Sequence, residues 1–139
     1  MPQILLHPDR YAQLEAFAVS LGVSLAEAVA VMLNREIAAG HLNEDLPGVI
    51  VQRHGDNVAL SIENVYARVL PIDVALGVAA GLERTAAPGL LRIVNLDADL
   101  EIARKGRGVI VTDFASRNSR SFTSSLALDL ARLIRKAAQ

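Results

Sequence analysis

The chain has 139 residues, 52% of them apolar, a formal charge of −1 and no cysteine. That length suits one domain or two small ones, and the missing thiols exclude disulfides, thiolate metal sites and cysteine nucleophiles together. No apolar run reaches the roughly 18 residues of a membrane span, and no basic stretch precedes an apolar core in the manner of a signal peptide. The expectation is a cytoplasmic, bacterial-type protein with no membrane partner. With few aromatics and no Trp, the core must be built from closely packed aliphatic side chains. The near-neutral charge hides a split. Met1 to Pro47 holds two basic and six acidic residues, net −4, and the remainder twelve basic and nine acidic, net +3. That split bears on any nucleic-acid reading, because phosphate contacts supply most non-specific affinity.

Gln3 to Pro8 reads as a short strand, in which Ile4 and Leu6 alternate with Gln3, Leu5 and His7. Pro8 ends it, having no N–H to donate, and Asp9 suits the positive end of a helix beginning there. Tyr11, Leu14, Phe17, Ala18 and Leu21 fall on one helical face. Gly22 is a natural stop. Ser24 and Glu27 have the spacing of a capping box for a second helix. That helix runs from about Leu25 to Ala39, with Leu25, Ala28, Val29, Met32, Leu33 and Ile37 on its inner face and Gly40 at its end.

The order strand, helix, Gly22-Val23-Ser24, helix resembles the ribbon-helix-helix family of repressors and antitoxins over residues 2–40. The resemblance implies an obligate homodimer, in which two N-terminal strands pair across a two-fold axis. It also implies that outward strand residues read base edges in the major groove while the second helix's N-terminus holds phosphate. Carried over, the DNA readers are Gln3, Leu5 and His7, with Val23, Ser24 and Leu25 beside phosphate. This sequence departs from the pattern in having no Lys or Arg on the ribbon and an acid, Glu27, beside the phosphate site.

The remainder repeats itself. Val51 to Ser61 aligns with Ile102 to Thr112, matching Arg53 with Arg104, Gly55 with Gly106 and Val58 with Val109. A one-residue shift then aligns Leu70 to Ala80 with Phe122 to Arg132. Each unit reads strand, tight glycine turn, strand, variable loop, helix. Asp73 is placed to cap the first helix and Thr123 or Ser124 the second. The first helix is apolar nearly all round, and its Gly77 and Gly81 suit close approach. Leu90 to Val94 is a candidate extra strand.

The expected fold is therefore α+β: a β-α-α module over residues 1–44, then a domain over 45–139. Its two ββα repeats, about 48–85 and 99–137, form one four-stranded antiparallel sheet with both helices on one face. Chemistry-bearing patterns are sparse. His7, His41 and His54 follow no ligand spacing. Asp97, Asp99 and Glu101 read as a solvated turn. Lys105 to Gly108 lacks the phosphate-loop spacing. The expectation is a non-enzyme with no cofactor, no metal and no catalytic residue. Arg104, Lys105 and Arg107, with Arg117 and Arg120, form a basic cluster on a hairpin tip and loop, where binding residues tend to lie. Gln3, Leu5, His7, Ser24, Arg104, Lys105 and Arg107 are thus the candidate DNA contacts. Two functions remain open. One is a homodimeric transcriptional regulator that binds operator DNA, with a sensing or assembly domain. The other is a non-enzymatic protein-binding protein, of antitoxin or phage-inhibitor type, in which the ribbon only dimerises.

Overall fold

A computed structural model of the chain describes residues 2–139. It divides into two compact units, Met1–Glu44 and Asp45–Gln139.

The first unit is two helices, α1 (Pro8–Leu21) and α2 (Leu25–Ala38). His7 caps α1 by accepting from the Asp9 N–H at 3.1 Å. Gly22 terminates it in the left-handed region at φ 69°, and its N–H returns to the Ala18 and Val19 carbonyls. Ser24 caps α2 by accepting from the Glu27 N–H at 3.2 Å. These ends follow the sequence reading. The N-terminal strand does not: Gln3 to His7 is irregular, so there is no β-α-α module. The alternation of Ile4 and Leu6 is a side-chain pattern, and a strand additionally needs a neighbour to accept its main-chain bonds. Among the described residues of this unit only Ala18 and Ala28 are buried. Ile4 is 82% and Leu5 95% exposed, and Tyr11, Val19, Leu21, Met32 and Leu33 are exposed as well. No single helix among the described residues is long and apolar enough to cross a membrane.

The second unit contains two antiparallel sheets and two helices. Sheet one is β1 (Val49–His54), β2 (Asn57–Ile62) and β3 (Tyr66–Pro71), in that order, followed by α3 (Ile72–Ala86). Sheet two is β4 (Arg92–Asn95), β5 (Leu100–Lys105), β6 (Gly108–Asp113) and β7 (Ser119–Thr123), followed by α4 (Ser124–Ala137). The single four-stranded sheet expected from two ββα units is thus replaced by a three-stranded and a four-stranded sheet. Each repeat carries a third strand inside its supposed variable loop. β3 has six residues and β7 five, and only Tyr66, Leu70 and Phe122 among them are buried. β7 is apolar only at Phe122, and Arg68 interrupts the period-two face from Tyr66 to Leu70 in β3. β4 is the candidate extra strand, shifted two residues along.

The repeat itself holds in three dimensions. Val58 pairs with Leu70 as Val109 pairs with Phe122. The hairpins His54–Asn57 and Lys105–Gly108 each place a glycine, Gly55 or Gly106, at φ near 60° in the first central position. That is the type II′ requirement. Gly48 (φ 72°) and Asp99 (φ 58°) are also equivalent, and their carbonyls accept from the Glu63 and Phe114 N–H groups. The one-residue shift falls between Ile62 and Tyr66 in one repeat and Asp113 and Asn118 in the other.

Each helix serves both repeats. The two pack on one another; α3 also lies on β4 and β5, and α4 on β1 and β2. Their buried residues match in pairs: Ala75 with Ala127, Val78 with Leu130, Ala79 with Ala131 and Leu82 with Ile134. Burying each large aliphatic contributes about 1.5–3 kcal/mol. The small alanines let the helices come close, and Gly81 lets α3 sit on sheet two. A Cβ there would lie 3.1 Å from Ile102 Cδ1 and 3.2 Å from Ile93 Cγ2. Asp73 does not cap α3, whose N-cap is Pro71 with no side-chain bond, whereas Thr123 caps α4 by accepting from the Leu126 N–H at 3.2 Å.

Equivalent positions Glu83 and Arg135 form a bidentate pair across the two helices, with Arg135 Nε 3.1 and 3.0 Å from the two carboxylate oxygens. The hydrogen bond from Arg135 holds the Glu83 carboxyl below its ordinary range, against a smaller opposing effect of burial. A depressed carboxylate pKa stabilises the fold above the unfolded value and loses that contribution as pH falls through the folded one. Glu83→Gln is therefore expected to lower the midpoint of denaturant unfolding modestly at pH 7, since both side chains are substantially exposed. The difference from the parent should vanish in strong acid; a constant difference at every pH would contradict this.

Gly108 is required for space and not for its φ. A Cβ on it would lie 2.6 Å from the Phe122 carbonyl oxygen. Gly108→Ala should cost on the order of 1–3 kcal/mol in chemical unfolding, while Gly106→Ala loses only through its positive φ.

Candidate functional site

Gln3 and Leu5 lie exposed in the irregular lead-in to α1. His7 is exposed too, though its Nδ1 is engaged in the α1 cap. Ser24 spends its hydroxyl on the Glu27 N–H. These four share the first unit and its acidic composition.

The basic cluster separates on inspection. Arg104 Nη1 donates to the Thr85, Ala86 and Ala87 carbonyls at 3.0, 3.1 and 3.3 Å. Those are the last carbonyls of α3, which lack intrahelical partners and carry the negative end of the dipole. Its repeat equivalent Arg53 does the same for α4, with Nη1 2.8 Å from the Gln139 oxygen and 3.4 Å from that of Ala137. The matched arginines are thus helix caps exchanged between repeats. Arg120 donates to the Pro47 carbonyl at 3.1 Å and stacks on Phe122. Arg117 stacks on Phe114. Lys105 and Arg107 stay exposed on the β5–β6 turn, where the Arg107 carbonyl accepts from Ser124. The cluster expected from sequence thus reduces to two side chains presented at the tip.

A cleft that sequence reasoning missed opens between the two β-loops. It encloses about 500 Å³ and is lined by Ser61, Ile62, Tyr66, Arg68, Asp113 and Ser116, among others. Ile62 and Asp113 are repeat equivalents, so the cleft joins the same place in both repeats. Asp113 is 4% exposed. Its Oδ1 accepts from Arg68 Nη2 at 3.3 Å and the Ala115 N–H at 3.1 Å, and its Oδ2 from the Ser116 hydroxyl at 3.1 Å. Arg68 also stacks 5.1 Å over the Tyr66 ring. Tyr66 donates its hydroxyl to the Ala98 carbonyl at 2.6 Å. Burial pushes the Tyr66 phenol up to about 12, with Arg68 acting against the shift and Asp113 adding to it. Near neutral pH Tyr66 therefore stays protonated. The only sequence signal for the cleft is an asymmetry: one repeat has Asp113 where the other has Ile62.

Among the described residues no three His, Asp or Glu side chains gather as a metal set. Asp99 occupies a turn at φ 58°, and Glu101 is paired with Arg92 at 2.9 Å. No family model matches the chain, and no match was found among curated proteins or solved structures.

These placements separate structural from exposed cations. Arg104→Ala should cost about 1–3 kcal/mol of stability, since it uncaps buried helix carbonyls. Lys105→Ala should leave the unfolding midpoint unchanged. Equal midpoints for the two variants in denaturant titration would contradict the capping role.

Proposed function

We propose that the chain is a homodimeric, non-enzymatic DNA-binding regulator, whose first unit dimerises and meets DNA and whose repeat domain senses or assembles and adds phosphate contacts through Lys105 and Arg107. The observation that carries this reading is the uncovered apolar surface of the α1–α2 unit. Two helices with two buried alanines cannot form a core of their own. A second copy of the same unit supplies the missing surface by symmetry. The αL glycine and the serine-capped second helix are present, without the strand that the ribbon-helix-helix resemblance calls for. Gln3, Leu5 and His7 are exposed beside them. A Gln can pair with an adenine edge, and Leu5 can meet a thymine methyl.

A protein-binding role is the second reading. It is favoured by the net charge of −4 on residues 1–47 and by the loss of Arg104 to helix capping. In that case the first unit only dimerises.

Titration of the full chain with mixed-sequence duplex DNA at low salt, followed by fluorescence anisotropy, tests the first reading. Binding is expected, weakening as salt rises. Joint substitution Lys105→Ala and Arg107→Ala should lower the log–log salt slope by about two per chain if both touch phosphate. Absence of binding at low salt, where charge attraction is strongest, would sink the DNA reading in favour of the protein-binding one.

A further inference from the structure

We propose that the outer edge of β1 is a self-association surface, taking β1 of a second copy in antiparallel register. The repeat supplies its own comparison. In sheet two, β5 is covered by β4, with Ile102 opposite Ile93 and the Arg104 N–H donating to the Leu91 carbonyl at 2.7 Å. In sheet one, β1 is the equivalent of β5, and among the described residues no strand lies on its outer side. The molecule thus shows, on one repeat, the pairing that the other repeat lacks.

The four sheet edges differ in how they are guarded. β3 carries Arg68 and ends at Pro71. β4 is four residues long and begins with Arg92. β7 carries Arg120 among Ser and Thr. Charged side chains, proline and shortness are the usual devices that stop edge pairing. β1, Val49-Ile50-Val51-Gln52-Arg53-His54, is six residues long without a proline, and its arginine, like Arg68, Arg92 and Arg120, is engaged within the molecule. The outer faces differ in the same sense. Ile50 (55% exposed) and Val69 (54% exposed) leave an apolar patch on sheet one. Their equivalents on sheet two are Glu101 and Ser121.

The occupant follows from the composition of β1. A two-fold pairing centred on Val51, the equivalent of Ile102, sets Val51 against itself, Ile50 against Gln52 and Val49 beside Arg53, where the Val49 N–H is already held by the Leu46 carbonyl at 3.1 Å and the pairing ends. No like charges meet, and opposed like charges are what disfavour strand pairs. The result is a continuous six-stranded sheet that joins the two Ile50 patches. This contact is independent of the α1–α2 unit.

The cysteine-free chain permits a local test. In the full-length protein, Gln52→Cys is treated with a short bismaleimide, and Val69→Cys, similarly exposed but on the opposite edge strand β3, serves as comparison. A major covalent dimer is expected for Gln52→Cys at dilute concentration, and little for Val69→Cys, with both labelled equally by a monofunctional maleimide. Adding Val51→Pro, which removes an edge N–H and is tolerated at an edge, should cut the Gln52→Cys dimer about tenfold, while circular dichroism stays native. Equal crosslinking at the two positions, or crosslinking insensitive to Val51→Pro in the folded protein, would overturn the proposal. So would a Gln52→Cys chain that labels but does not crosslink, as expected if the edge serves a foreign peptide. Because the readout is local to β1, it stands whether or not the first unit dimerises.

Discussion

The repeat domain depends on the exchange of helices between its halves. Each sheet is too small to bury its inner face with its own helix alone, and α3 and α4 each lie across both sheets. The seam is closed by small residues, Ala75, Ala79, Ala127 and Ala131, all buried. It is locked at its ends by Arg53 and Arg104, each holding the terminal carbonyls of a helix from the other half. The pseudo-two-fold is not a true one. Glu83 and Arg135 occupy equivalent positions with opposite charge, which no pairing of identical repeats could provide. Asp113 likewise stands where the first repeat has Ile62, and the Arg68 pair it makes is specific to this arrangement.

That asymmetry sets the two sheets apart at their surfaces. A perfect repeat would present two identical edges and two identical faces. Here one sheet is completed by β4 and polar outside, and the other is short by a strand and apolar outside. Apart from the buried exchange of Ile62 for Asp113, the differences concentrate at the surface while the helix core pairs stay matched, the distribution expected when packing is shared and surfaces differ.

Much of this was legible in the sequence. The helices of the first unit, the αL stop at Gly22, the Ser24 cap and the repeat anchored on Arg53/Arg104 and Gly55/Gly106 all carry local physical signals. The third strands did not: β7 is polar apart from Phe122, and in β3 the alternating face Tyr66, Arg68, Leu70 is interrupted by an arginine. The lead-in Gln3–His7 carried a strand signal without forming one in the single chain, because main-chain pairing is a property of two segments. The basic cluster misled at Arg104, since charge in a sequence does not reveal whether a helix end will consume it. The cleft was invisible, built from residues roughly fifty positions apart.

The account rests on the first unit being incomplete alone. Its sharpest test is the mass of the full chain by analytical ultracentrifugation across a wide concentration range, with Tyr11, Val19 and Leu33 as they stand. The account predicts a species of at least twice the 14.8 kDa chain mass that persists on dilution into the micromolar range. A well-folded monomer at every concentration, with α1 and α2 protected from proteolysis, would contradict it.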